Sequence, residues 1–512
     1  MTKFYLTTAI DYANGAPHLG HALEKIGADA IARYRRLAGD DVHFLMGMDE
    51  HGQKVKQAAD ERGVSQQAFV DQIAAEFEAM WQRLGISNDQ FIRTTDPAHK
   101  RGVRALIKRI HENNPDDFYE QTYEGWYCVG CELFKRENEI VDGKCILHPT
   151  RELQWTQERN WFFRLTKYQG FLERLFEERP SFLRPETRRN EILALLAQGL
   201  EDISITRSRL SWAIPFPLQT TSGEEQGTWV WFDALPNYLT ATGFPDKGYK
   251  ERWPAQLHVI GKDITRLHCI VWPAMLQAAE IALPEHVWAH GFVSLGGERF
   301  SKSAGVKLEL PDAIDRFGAD AFRYFLLREV PFDGDGSFSW ERFEQVYTAE
   351  LANALGNLAS RVIAMIEKYC DGVVPLGDRT ELDAADIADL ASYHAAMDGG
   401  RGYLLHEGTK RAMASVTRCN EYVQSTQPWT LAKDSAKRPE LERVLGAFAR
   451  SIARQCVLFL PFMPSKCDEL WKQLGGPARL SDQRFDGLAG LDATGWKVRK
   501  GALLFPRSTL AD

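Results

Sequence analysis

Residues 10–21 read Ile-Asp-Tyr-Ala-Asn-Gly-Ala-Pro-His-Leu-Gly-His, and the way they interrupt the pattern around them decides the fold. Before them, 4–9 is an apolar, β-prone run; after them, Leu23, Ile26, Ala30 and Ile31 supply one apolar face at helical spacing. The stretch is therefore a loop between a strand and the first turn of a helix. His18 and His21 share a face at that opening, and Gly20 between them lets a ligand approach the backbone. Two imidazoles beside unpaired N–H groups at a helix N-terminus suit phosphate. Two histidines on an ordinary amphipathic helix would read the same way in isolation, so the surrounding chain has to choose.

Downstream, 42–48 is a short buried-type strand that runs into Asp49, Glu50, His51 and Gly52, polar residues at the end where open α/β sheets bind ligands. Ser65 caps a helix whose Phe69, Ile73, Phe77, Met80, Trp81 and Leu84 form a core-facing stripe. A strand at 91–95 and a helix at 99–113 follow. This alternation predicts a parallel, doubly wound sheet. It stops near Asn113 and resumes from Gly227, with a strand at 257–260 ending in Gly261, Lys262 and Asp263, a helix at 264–279 carrying His268, and a strand at 287–292. A lone His268 reads by default as a core or surface histidine; Trp231 and Tyr238, also near strand ends, offer it a pocket.

The interruption has its own chemistry. Cys128-x-x-Cys131 and Cys145-x-x-His148 match the two knuckles of a closed tetrahedral zinc site. A redox C-x-x-C or core thiols are the alternatives, but a redox pair needs no second knuckle. A site filled by protein ligands leaves no position for a catalytic water, so the metal would be structural, holding together a small insertion with little core. Trp161, Phe162, Phe163 and the helical patterns to about Gly199 read as the insertion's return path.

Later, 296–305 reads Gly-Gly-Glu-Arg-Phe-Ser-Lys-Ser-Ala-Gly. Its Arg299, Ser301 and Lys302 suit a polyphosphate that is gripped and released, although a charged surface turn has the same composition. Beyond about Ser339 the pattern is helical without strands. Leu351, Leu355, Leu358, Val362 and Ile366 form a core stripe, while Asn353, Asn357 and Arg361 align on a neighbouring polar face. A solvated face is the plain reading; asparagine is a poor helix former, so the alignment suggests hydrogen-bonding work. Pro428-Trp429 offers an aromatic on which a base could stack.

Composition bounds these readings. A chain of 512 residues, 44% apolar and 11% aromatic, buries a large core and divides into roughly two to four domains. A net charge of −8 argues against a generally basic nucleic-acid binder but not against local basic patches. No apolar run approaches the roughly 20 residues of a membrane helix, and the N-terminus has no signal-peptide pattern, so a soluble, cytoplasmic protein is expected. Of eight cysteines, three cluster at 128–145 and the rest scatter, unlike a secreted disulfide framework.

Pro17-His18-Leu19-Gly20-His21 and Arg299-Phe300-Ser301-Lys302-Ser303 resemble the two signature sequences of class I aminoacyl-tRNA synthetases, usually written HIGH and KMSKS. More closely, Tyr12-Ala13-Asn14-Gly15, Asp49-Glu50-His51-Gly52, the zinc knuckles, Trp231-Phe232-Asp233-Ala234, Gly261-Lys262-Asp263, Asn353-x3-Asn357-x3-Arg361 and Pro428-Trp429 look like the methionyl-tRNA synthetases, over nearly the whole chain.

The resemblance implies an α/β fold. A Rossmann-type catalytic domain in two halves, 1–115 and 227–295, would be split by a zinc-binding connective insertion, 116–226. A mobile signature loop and linking region, 296–345, an all-α helical-bundle anticodon-binding domain, 346–480, and a C-terminal tail, 481–512, would follow. It implies a ligase that activates L-methionine with ATP to methionyl-adenylate plus pyrophosphate, then transfers methionine to the 3′-terminal ribose of tRNA(Met). Mg²⁺ would accompany ATP, and one structural Zn²⁺ would sit on Cys128, Cys131, Cys145 and His148.

Residue by residue, the resemblance makes His18, His21, Arg299 and Lys302 catalytic; Gly20, Asp263 and Ser301 would join them in holding ATP, with Asp263 at the ribose. Asp49 would take the methionine ammonium group. Ile10, Trp231, Ala234, Tyr238, Ile264 and His268 would enclose the side chain, and Tyr12 would close the pocket. Selection would rest on shape, a thioether contact and hydrogen bonds from Tyr12 or His268 to sulfur. Asn353, Asn357 and Arg361 would read anticodon base edges while Trp429 stacks on a base.

The chain departs from the family pattern in reading Arg299-Phe300 where Lys-Met is usual, which changes the shape and contacts of that charge. It also shows no added tRNA-binding and dimerising domain, so a monomer is expected. Enzymes for leucine, valine, isoleucine or cysteine are the neighbouring readings; the first three usually need a large editing insertion, for which 116–226 is too short. A paralogue that binds tRNA or protein without catalysis would have lost His18, His21 or Lys302. A small-molecule nucleotidylyltransferase would have no use for Asn353, Asn357, Arg361 and Trp429.

Overall fold

The computed structural model describes residues 1–128, 133–135, 137–146, 148–208, 210–295 and 309–506. The strand Lys3–Thr8 lies inside a seven-stranded sheet. Asp41–Asp49 pairs with it on one side and Leu257–Gly261 on the other, both parallel. Gln90–Arg93 and the short Asp11–Tyr12 pair with Asp41–Asp49; His286–His290 and then Leu183–Arg184 extend the other side, again in parallel. The order of connection reverses at Lys3–Thr8: the chain steps outward one way to 41 and 90, then resumes on the opposite side at 257 and 286. Such a reversal opens a crevice beyond the carboxyl ends of the strands.

The alternation of side chains along these strands feeds two apolar cores. Leu6, Phe44, Met46 and Val259 face the core of the Leu19–Ala38 helix, while Tyr5, Leu45 and Ile260 face that of Pro97–Asn113 and Trp272–Ala278. The helix expected over 264–279 is instead a 3₁₀ turn, Lys262–Ile264, a π-helical turn, Leu267–Val271, and the α-helix Trp272–Ala278. Pro273 has no N–H to give to the fourth carbonyl back and its ring crowds that group, so the turn before it widens.

In the middle of the chain, Phe118–Cys128 and Gln154–Phe163 form a long antiparallel ribbon edged by Ile203–Ser204 and Leu133–Phe134. Residues 161–163 thus end a strand of this ribbon. A smaller sheet of Ile140–Val141, Lys144–Cys145 and His148–Glu152 accompanies it. Leu183–Arg184, although within 116–226, adds to the edge of the parallel sheet. The last part of the chain is helical, with Asn357–Cys370, Glu381–Met397, Leu405–Thr426, Arg438–Phe459 and Pro464–Gln473, and its core is continuous with that over the Leu19–Ala38 helix. Among the described residues no helix is long and apolar enough to cross a membrane.

One side chain ties these parts together. Arg323, in Ala319–Glu329, is fully buried and donates to Asp29 on the Leu19–Ala38 helix (2.6 Å), to the Leu84 carbonyl (3.2 Å), and to the Phe462 and Pro461 carbonyls of the helical region (3.1 and 2.9 Å). Every guanidinium nitrogen is engaged; Asp29 also accepts from Arg33 (2.7 Å) and from Ser87, so removing Arg323 takes one of two cations from that buried carboxylate and leaves three buried carbonyls without this donor. Arg323→Ala should therefore lower stability by about 3–5 kcal/mol in urea unfolding, a far larger loss than for the exposed Arg101→Ala.

Candidate active site

The site begins with how the Leu19–Ala38 helix starts. His18 is its N-cap: His18 Nδ1 accepts from the Gly20 N–H (3.1 Å), and the His18 N–H donates to His21 Nδ1 (3.2 Å). Two imidazoles thus perform a reciprocal capping usually done by hydroxyl and carboxylate, and their rings stack at 3.7 Å. A Cβ on Gly20 would lie 3.1 Å from the His18 ring, so glycine is what lets that ring fold back. Burial, and then the neighbouring His18, hold His21 well below the usual histidine range. With Nδ1 accepting, a neutral His21 carries its proton on Nε2 and presents a donor.

One turn further, Lys25 is wholly buried. Its Nζ reaches the Ala9 carbonyl (2.7 Å), Asp11 (2.9 Å) and Glu24 (2.7 Å), and the other Glu24 oxygen accepts from His290 Nε2 (3.2 Å). Ala9 follows Lys3–Thr8, and His290 ends His286–His290, so this cluster straps the histidine-capped helix to two strand ends. Burial pushes the Asp11 carboxyl up to about 7, against the pull of Lys25.

The Asp49-Glu50-His51 stretch divides its work. Asp49 is 7% exposed at the end of its strand. Glu50 accepts from Arg93 Nε (2.6 Å) and from the Thr95 hydroxyl, fixing the neighbouring strand end. His51 Nδ1 donates to Asp233 (2.6 Å), whose second oxygen accepts from His99 Nε2 (2.8 Å). Burial alone would raise the Asp233 carboxyl; His51 and then His99 outweigh it and bring it down to about 2.

Asp233 belongs to the turn Val230–Ala234, which also carries Trp231 and Ala234. Tyr238 follows and donates its hydroxyl to His268 Nε2 (2.7 Å). His268 Nδ1 lies 3.0 Å from the Ile264 carbonyl, which can only accept, so Nδ1 holds the proton and Nε2 accepts. Burial pushes His268 down to about 4, which keeps it neutral. Both ring nitrogens are therefore occupied, and the expectation that His268 donates to a thioether sulfur is corrected: the ring contributes surface, with Trp231 edge-on to it at 6.4 Å.

Ile10, Tyr12, Trp231 and Ile264 are half-buried around these groups, and Ile10 packs over Gly47, where a Cβ would come within 3.0 Å of its methyl. Asp263 is exposed just past Leu257–Gly261, and its carboxylate would lie 2.6 Å from any Cβ at Gly261. The structure places Ile10, Tyr12, Asp49, Asp263 and Ile264 at or just beyond the carboxyl ends of parallel strands, His18, Gly20 and His21 in the opening of the Leu19–Ala38 helix, and Trp231, Ala234 and Tyr238 on the turns Val230–Ala234 and Asn237–Thr240, where Trp231 and Tyr238 meet His268.

Other expected residues fall elsewhere. Arg299, Ser301 and Lys302 lie outside the described residues, as does Cys131. Cys128 and Cys145 are buried, and Cys145 pairs across two strands with the backbone of His148, whose side chain is likewise outside the description. Among the described residues no group of three or more His, Cys, Asp or Glu is placed to hold a metal. Asn353 and Asn357 are exposed on one helical run, Arg361 donates to Asn420 (3.0 Å), and Trp429 is 37% exposed. Sequence reading missed Lys25, His99 and Asn420, which no pattern in the chain marks.

The family described as "tRNA synthetases class I (M)" matches residues 4–152 and 136–363. The chain is 41% identical over 514 residues to the methionine–tRNA ligase of Caldanaerobacter subterraneus subsp. tengcongensis, covering 98% of this chain and 78% of that one. It is 40% identical to that of Rhizobium meliloti, covering 99% and 98%. Among solved structures, it is similar to Mycobacterium tuberculosis methionyl-tRNA synthetase in complex with methionyl-adenylate, with a TM-score of 0.92 and 39% identity over 99% of this chain and 100% of that one. Against the apo form of the same enzyme the TM-score is 0.85, with 36% identity over 99% and 98%.

The buried neutral His268 gives the fold a pH signature. Its folded value of about 4 lies below the ordinary value of about 6.5, so its contribution is fully present above about pH 6.5 and is lost as pH falls toward 4. The stability advantage of the wild type over His268→Gln should shrink across that window in urea titrations at each pH; a constant difference would contradict the neutral assignment.

Proposed function

We infer the workings of this site from one premise: the chain belongs to the class I tRNA synthetases of the methionine type. It activates L-methionine with ATP to methionyl-adenylate and pyrophosphate, then transfers the methionyl group to the 3′-terminal ribose of tRNA(Met). The observation that carries the assignment of residues is the histidine-capped helix start at the reversal of the sheet.

In the first step a carboxylate oxygen of methionine attacks the α-phosphorus. An O–P bond forms, the bond from that phosphorus to the β-phosphate bridge breaks, and pyrophosphate leaves with the electron pair. No enzyme nucleophile is required, so the protein's part is positioning and stabilising charge on phosphate oxygens. We place the triphosphate across the first turn of Leu19–Ala38, where backbone N–H groups, His18 and the neutral Nε2–H of His21 donate to it and Gly20 admits its close approach. Asp263 is assigned to the ribose, and Arg299, Ser301 and Lys302, with Mg²⁺, to the departing pyrophosphate.

Methionine is placed with its ammonium at Asp49 and its side chain among Ile10, Trp231, Ala234, Tyr238, Ile264 and His268, with Tyr12 closing over it. Because Tyr238 and His268 satisfy one another, the wall they form is effectively apolar, and selection falls to shape and sulfur–aromatic contact. Tyr12 is left as the donor toward sulfur.

The partition into 1–115, 116–226, 227–295, 296–345, 346–480 and 481–512 is retained, with Leu183–Arg184 returned to the catalytic sheet. Cys128, Cys131, Cys145 and His148 would hold a structural zinc; the burial of Cys128 and Cys145 and the pairing of Cys145 with His148 support it. When bound, the metal would cross-link two knuckles that share little core. Asn353, Asn357, Arg361 and Trp429 are assigned to the anticodon, the exposure of Asn353, Asn357 and Trp429 in the helical region supporting this, with Arg361 half-buried against Asn420. A cytoplasmic monomer fits a chain whose Cys269, Cys370, Cys419, Cys456 and Cys467 are buried free thiols.

Three measurements test these roles. His21→Ala should lower transfer of labelled methionine to tRNA(Met) by about 10²–10³-fold. Trp429→Ala should raise KM for tRNA by roughly tenfold, the worth of one stacked base, while leaving adenylate formation unchanged. Metal analysis should find one zinc per chain, abolished together with the native fold of 116–226 when Cys128 and Cys145 are both replaced by serine.

A further inference from the structure

The residues assigned to methionine come from two separate stretches. Ile10, Tyr12 and Asp49 precede the insertion; Trp231, Ala234, Tyr238, Ile264 and His268 follow it. The covalent chain does not set the spacing between the two groups, because the whole insertion lies between them. Sheet pairing of Lys3–Thr8 with Leu257–Gly261 and the bond from the Tyr5 hydroxyl to the Tyr238 carbonyl (2.8 Å) bring the two groups near each other, and a side-chain bridge adds a tie at the turn that carries Trp231. Asp233 is fully buried, with one oxygen 2.6 Å from His51 Nδ1 and the other 2.8 Å from His99 Nε2.

The bridge ends close to the pocket on both sides. His51 stands two residues past Asp49, Asp233 lies between Trp231 and Ala234, and His99 Nδ1 pairs at 2.8 Å with the hydroxyl of Thr240, two residues past Tyr238. Trp212 covers the near end: its ring lies 5.5 Å from that of His51, its indole N–H donates to the Glu50 carbonyl (2.6 Å), and its carbonyl accepts from the Gly52 N–H (3.0 Å).

We propose that Asp233 is a positioning residue for methionine, which through His51 and His99 fixes the distance between the Asp49 side of the pocket and the Trp231, Ala234 and Tyr238 side. The proposal rests on the methionine pocket assigned above. A carboxylate is needed because it accepts on both oxygens. Asparagine accepts on one and turns an NH₂ toward the other ring, so one imidazole must change tautomer or let go. The pocket walls then shift relative to each other, which alters side-chain fit more than nucleotide binding, since the histidine-capped helix start and Asp263 lie outside the bridge.

The test is ATP–pyrophosphate exchange with methionine and with norleucine, which replaces sulfur by a methylene. Exchange by the wild type reports on the pocket assignment itself; its absence overturns that assignment and the proposal with it. With the wild type active, Asp233→Asn should raise KM for methionine by about tenfold or more, leave KM for ATP within about twofold, and lower the preference for methionine over norleucine by about fivefold. An unchanged KM for methionine, or a joint rise in both KM values with the preference intact, would make Asp233 a structural tie only and overturn the proposal. Should Asp233→Asn fail to fold, the His99 pair decides. His99→Gln keeps an N–H toward Asp233 and should stay within about threefold of the wild type in KM for methionine, while His99→Leu should reproduce the tenfold loss; equal effects of the two would contradict it.

Discussion

The parallel pairing of Lys3–Thr8 with Leu257–Gly261 is the contact on which the rest of the site depends. It joins stretches of chain some 250 residues apart, with Thr7 facing His258 and Thr8 facing Val259. Because loop-closure entropy grows only slowly with length, the fold can carry a whole insertion between the two halves without losing this pairing. Once it is made, the loop that starts the Leu19–Ala38 helix and the Gly261-Lys262-Asp263 turn open on the same crevice. Lys25 then straps the helix to the Ala9 carbonyl and to Asp11, which sets the two imidazoles at a fixed height above the sheet.

Three buried charges hold what the backbone leaves loose. Lys25 carries a cation where burial opposes it, and Asp11 and Glu24 overcome that opposition, so its proton is held more tightly than usual. Arg323 joins the catalytic helix to the helical region through one carboxylate and several carbonyls. Asp233 joins the chain on either side of the insertion. Well-packed apolar groups could stabilise these places as much, but would not specify one arrangement: each charge demands particular partners, and each has partners on other elements. Placement of charge is thus the means by which separate segments are held in one register around the substrates.

The strands at 42–48, 91–95, 257–260 and 287–292 were legible because they are short apolar runs ending in polar residues, and each lies within a few residues of an observed strand. The helical last third followed from spacing alone. The Leu183–Arg184 strand was not legible, being two residues inside a helical pattern, and its place at the sheet edge is fixed by tertiary pairing. The ribbon of Phe118–Cys128 and Gln154–Phe163 was hidden because both its faces carry mixed polar and aromatic residues, so no clean alternation marks it. Lys25 and Arg323 were invisible for another reason: a lysine or arginine reads as solvated unless its partners are known, and apart from Glu24 theirs lie on other elements. The grouping of His268 with Trp231 and Tyr238 was legible, whereas its role as acceptor depended on Ile264 and Tyr238 together.

Amino-acid-dependent ATP–pyrophosphate exchange on the purified chain, with methionine set against leucine, isoleucine, valine, cysteine and homocysteine, tests the central claim most directly. The account predicts exchange driven by methionine, weak exchange with homocysteine, which differs by one methyl, and none above background with the branched residues. Folded protein that exchanges with no amino acid, or that prefers a branched side chain to methionine, would contradict it.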